Sequence, residues 1–80
     1  MNAETEKEIG GNIRELREKA GFTQEMLAAK LQVSGCDITR SALAKIEVGQ
    51  RHLYPDEIFW LCRLLKTNYE NIFDMQGLDL

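Results

Sequence analysis

An all-α domain of five short helices is the fold that the sequence predicts. Three observations carry this: apolar residues recur at steps of three and four, a capping residue or a proline precedes each such run, and no stretch alternates apolar with polar residues as a half-buried strand would. Eighty residues, 44% of them apolar and only one a proline, suit a single ordered domain over 1–80. A chain of this size buries only about 60% of its unfolded surface, which favours a helix-rich fold or a partner and disfavours a large enzyme with an enclosed pocket. There is no internal repeat, low-complexity segment or linker.

Thr5 with Glu8 makes a capping-box pattern, and Ile9, Ile13, Leu16 and Ala20 follow at helical spacing before Gly21, so the first helix is expected over about 5–20. Gly10 and Gly11 each weaken it by about 1 kcal/mol relative to alanine, so its first half is expected to fray or start late. Thr23 caps a second helix with Glu25 in its first turn, favourable to the macrodipole, and with Leu27, Ala28 and Leu31 on one face, ending near Gln32. VSGCDI, from Val33 to Ile38, reads as a turn. Thr39 caps a third helix with Leu43 and Ile46 as its apolar face and Gly49 as its stop. Pro55 fits the first position of a fourth helix, striped by Ile58, Leu61, Cys62 and Leu65. Asn68 caps a short fifth, with Ile72 and Phe73 as its apolar contacts.

A formal charge of −3 and a pI near 5.1 speak at first against nucleic acid. The charge is segregated, however. Between Asn12 and His52, seven Lys or Arg face five Asp or Glu, a local +2, and the flanks carry −5. An anion is therefore attracted to the middle of the chain and repelled elsewhere. No run approaches the length of a membrane span, and the acidic start, Glu4, Glu6 and Glu8, is unlike a secretory signal, so a soluble cytoplasmic chain without a membrane partner is expected.

Cys36 and Cys62 are expected to be free thiols, since neither sits in a CxxC pair and an intracellular chain keeps its cysteines reduced. Together with His52 they supply only three irregularly spaced metal ligands, and a Cys/His nucleophile pair would lack an orienting third group. No metal, no cofactor and no catalytic residue are expected, and His52 reads as an exposed loop residue.

On a helical wheel Arg40, Ser41, Ala44 and Lys45 fall within one arc of the third helix, opposite Leu43 and Ile46, with Thr39 at its head. Arg40 carries a planar donor fork suited to guanine O6 and N7, Ser41 donates or accepts, and the small Ala44 permits close approach or meets a thymine methyl. Such a helix fits a DNA major groove.

Residues 9–73 resemble the Cro/lambda-repressor-type, or Xre, helix-turn-helix family over about four fifths of the chain. The resemblance rests on IRELREKAG before FTQ, the TQEMLA opening of the second helix, the IE-x-G ending of the third, and the order of five helices. It leaves an acidic N-terminal extension and a short C-terminal tail outside the match. It implies a lambda-repressor-like domain in which Gln24 and Arg51 meet the DNA backbone while Arg40, Ser41 and Lys45 read bases. It further implies that Arg17 pairs with Glu47, tying the first helix to the end of the third, and that a small Ala28 lets the second and third helices cross closely. The sequence departs from the family where Gln32 replaces the usual glycine and the turn from Val33 to Thr39 is about five residues longer than the common form, which bears on the angle of the recognition helix.

Trp60 stands where the family usually has a polar residue. With Leu64 it lies on a flank of the fourth helix, suited either to a satellite core with helix one or with Met75, Leu78 and Leu80, or to a dimer contact. The expected function is a sequence-specific, non-enzymatic transcriptional regulator, a repressor by default, acting as a homodimer on a double-stranded operator. The alternative is a protein-interaction module, antitoxin-like or anti-repressor, that binds a protein partner through Trp60 and Leu64.

Overall fold

The computed structural model describes residues 3–75. They form five α-helices and no strand: α1 Ala3–Lys19, α2 Gln24–Val33, α3 Arg40–Glu47, α4 Pro55–Leu64 and α5 Tyr69–Ile72. Local chemistry sets four of the starts. The hydroxyl of Thr23 accepts from the Met26 N–H at 3.0 Å, and that of Thr39 accepts from the Ala42 N–H at 3.1 Å. Pro55 opens α4, where the Glu57 carboxylate accepts from the Tyr54 N–H at 3.0 Å, and the Asn68 side chain accepts from the Asn71 N–H at 2.9 Å.

α1 corrects one expectation. It begins at Ala3, two residues before the Thr5 cap, and runs unbroken through Gly10 and Gly11. The reason is tertiary: a Cβ on Gly10 would lie 2.1 Å from the Ile46 carbonyl oxygen and 2.8 Å from the Glu47 backbone. Gly10 is the point at which α1 presses against the end of α3, and packing there outweighs the weak local propensity. Nothing lies within 4 Å of a Cβ on Gly11.

The core brings Ile9 and Ile13 of α1, Leu27 and Leu31 of α2, Leu43 and Ile46 of α3, Leu61 of α4 and Ile72 of α5 into one cluster. Ala28, also buried, stands beside it on α2. The long turn between α2 and α3 contributes two more members. Ser34 closes α2, Gly35 takes φ +87°, and the chain then turns inward so that Cys36 and Ile38 are buried while Asp37 stays exposed. The Cys36 N–H donates to the Leu31 carbonyl at 2.9 Å, and the Ile38 N–H to that of Cys36 at 2.9 Å. The residues of this turn thus pin the approach to α3 instead of leaving it loose. At the far end, Asn12 Nδ2 donates to the carbonyls of Ile72 at 2.9 Å and Asp74 at 2.7 Å, fastening the end of α5 to α1.

The two neighbouring glycines should respond oppositely to alanine. Gly10→Ala forces backbone apart and is expected to cost about 1–3 kcal/mol. Gly11→Ala meets open space and is expected to add about 0.5–1 kcal/mol. Urea unfolding midpoints of the two variants check both signs.

Candidate nucleic-acid interface

α3 follows directly on the pinned turn. Its inner face, Leu43, Ile46 and Glu47, is buried; Arg40, Ser41 and Lys45 are exposed, and Ala44 is half-buried between them. Thr39 spends its hydroxyl on the cap yet remains exposed at the head of this face. Leu43 and Ile46 hold the helix in the core, and the opposite arc carries two cations, a hydroxyl and a methyl.

Beside that arc the first turn of α2 and the end of α3 border an open groove of about 460 Å³, lined by Arg14, Arg17, Thr23, Gln24, Glu25, Arg40, Glu47 and Val48. A buried ion pair forms its floor. Arg17 Nε donates to Glu47 Oε2 at 2.7 Å and Arg17 Nη2 donates to Glu47 Oε1 at 3.0 Å, with side-chain exposures of 9% and 2%. Arg17 Nη1 also donates to the Phe22 carbonyl at 2.8 Å, and Gln24 Nε2 donates to Glu47 Oε1 at 3.0 Å. The hydrogen bonds that Arg17 donates to Glu47 raise the Arg17 pKa above its ordinary value, against the opposing effect of burial. Gln24 is therefore positioned at the start of α2 by the same carboxylate that anchors α1 to α3.

Arg51 has an ion pair of its own. Its Nη1 and Nη2 donate to Glu57 Oε1 at 3.0 Å and Oε2 at 2.9 Å, and Nη1 also reaches the His52 carbonyl at 3.0 Å. It clamps the start of α4 to the loop after α3, at a side-chain exposure of 28%. His52 is an exposed loop residue whose ring meets the Glu6 carboxylate of α1. Cys36 and Cys62 are both unpaired and buried. Burial pushes both thiols up, which keeps them protonated and unreactive at neutral pH.

Trp60 and Leu64 are half-buried and pack against the core, as does Met75; Leu78 and Leu80 lie outside the described residues. Trp60 meets Phe59 edge-on, with ring centroids 5.3 Å apart. The more open aromatics of this side are Phe59 and Tyr69. Sequence reasoning assigned no part in the site to four residues of the groove: Arg14, Thr23, Glu25 and Val48. Arg14 was findable, because it stands three residues before Arg17 and so on the same side of α1.

A family model described as "Helix-turn-helix" matches residues 13–71. The chain belongs to this family, of the Cro/C1 or Xre-like type, and its class is that of DNA-binding helix-turn-helix regulators. No curated protein and no solved structure gives a significant match. No helix among the described residues is long and apolar enough to cross a membrane.

The Arg51–Glu57 clamp makes stability depend on pH in a definite direction. Burial alone would push the Glu57 carboxyl up, but hydrogen bonds from Arg51 and from the Tyr54 N–H, with the charge of Arg51, hold it below its ordinary value. A group lowered on folding contributes stability above its unfolded pKa and loses it as pH falls toward its folded pKa. Urea unfolding of the wild type and of Glu57→Gln across the acid range should therefore show a smaller loss of stability in the variant, which is already destabilised at neutral pH.

Proposed function

We propose that this chain is a sequence-specific, non-enzymatic transcriptional repressor that acts in the cytoplasm as a single domain, inserting α3 into the DNA major groove as a homodimer on a two-half-site operator. The observation that carries this reading is the division of α3: one face is locked by Leu43, Ile46 and Glu47, and the other presents Arg40, Ser41, Ala44 and Lys45 to solvent. Arg40 takes guanine O6 and N7 with its fork, Ser41 and Lys45 bond neighbouring base edges, and Ala44 meets a thymine methyl. Thr39, at the head of α3, approaches the same groove edge. Gln24, at the start of α2, and Arg14, across the groove, meet phosphate oxygens and set the register. Arg51, committed to Glu57, acts by holding the loop beside the backbone.

The local excess of positive charge between Asn12 and His52 supports DNA as the partner despite the acidic total. A homodimer is favoured on general grounds: a lone module reading a few base pairs gains affinity and specificity when a twofold pair spans two half-sites one helical turn apart. The rival reading, a protein-interaction module built on Trp60 and Leu64, draws less support, because both side chains are half-buried against the core.

Selection of a random duplex library by the purified protein, repeated at two salt concentrations, tests the reading. A palindromic site should be enriched, and Arg40→Ala should lower affinity for it by about 1–3 kcal/mol. Absence of any enriched sequence at low salt would overturn base reading by α3.

A further inference from the structure

The groove beside α3 contains two carboxylates, and they are in unlike states. Glu47 is buried and shared between Arg17 and Gln24. Glu25, in the first turn of α2, is exposed, and its Oε1 lies 4.0 Å from Nε of Arg40. The side chains are 80% and 62% exposed, so this pair adds little to folding stability. It sets the electrostatic surroundings of the one arginine placed to read a base.

We propose that Glu25 is a specificity-determining residue, a negative charge beside Arg40 that opposes its capture by phosphate more than its pairing with guanine. This rests on the reading of α3 as the base-reading helix. A phosphate oxygen carries a net charge and must come close to Glu25 in order to reach Arg40. Guanine O6 and N7 are neutral acceptors, so the fork can engage them with the Glu25 carboxylate still alongside. At physiological ionic strength screening acts over about 8 Å, so Glu25 acts on Arg40 and on an anion bound there more than on phosphates farther along the duplex. Non-specific binding is almost wholly a matter of phosphate contacts, and specific binding adds base contacts to them. The repulsion therefore falls mainly on the non-specific mode and widens the ratio between the two.

The test compares full-length wild type with Glu25→Gln by fluorescence anisotropy, on the duplex enriched from the random library and on a scrambled duplex of equal length, at two salt concentrations. Glu25→Gln is expected to bind the scrambled duplex about three- to tenfold tighter and the enriched one less than about twofold tighter. The salt dependence on the scrambled duplex should steepen by about one unit, as one more phosphate is neutralised. In an Arg40→Ala background the same substitution should leave the ratio of the two affinities unchanged. An unaltered ratio in Glu25→Gln, or an altered one that persists without Arg40, would overturn the role of Glu25 while leaving base reading by α3 intact. A wild-type protein that prefers no duplex would overturn both.

Discussion

The ion pair between Arg17 and Glu47 is the contact on which the rest of the arrangement depends. Glu47 is the last residue of α3, Arg17 stands near the end of α1, and Gln24 is the first residue of α2. One buried carboxylate thereby receives donors from both other helices, and the remaining Arg17 donor fastens the Phe22 carbonyl in the loop that joins them. Taking two charges out of water is costly, and only near-complete hydrogen bonding offsets that cost. Here the guanidinium and carboxylate meet through two parallel bonds, an arrangement with strict angular demands. Such a pair specifies geometry more than it adds stability. What it specifies is where the end of α3 sits relative to the first turn of α2.

Two further constraints act on the same helix. Gly10 lets α1 come within backbone contact of Ile46 and Glu47, a distance that any side chain there would prevent. At the other end Cys36 and Ile38 root the long turn in the core one residue before the Thr39 cap. α3 is thus fixed at both ends and along its inner face, so the backbone that carries Arg40, Ser41, Ala44 and Lys45 needs little ordering when a ligand arrives. Preorganisation of this kind keeps the entropic cost of binding low. The Arg51–Glu57 clamp extends the frame to α4, and the carbonyl bonds from Asn12 extend it to α5.

The helices were legible in the sequence where their signals are local. Thr23, Thr39, Pro55 and Asn68 announce starts because a cap bonds within three residues of itself, and Leu43 with Ile46 reveals the inner face of α3 by spacing alone. Of the contacts between distant residues, the Arg17–Glu47 pair was legible through the family resemblance, and the others were not. Gly10 reads as a weak point in isolation and is a contact surface in the fold. Cys36 and Ile38 carry no periodic pattern, because a turn has none, so their burial had no sequence signature. Arg51 and Glu57 are six residues apart across a loop, a spacing that no helical rule brings together, so their pairing had no sequence signature. Glu25 reads as a favourable charge at a helix start, and only the meeting of α2 with α3 sets it beside Arg40.

The claim that the locked helix is the DNA-reading element is tested most directly by following backbone amide signals of the isotope-labelled protein as an enriched duplex is added. The account predicts that the largest shifts fall on Thr23 to Glu25 and on Thr39 to Lys45, with Phe59 to Tyr69 little changed. Shifts concentrated on Phe59 to Tyr69, with α3 unperturbed, would contradict it.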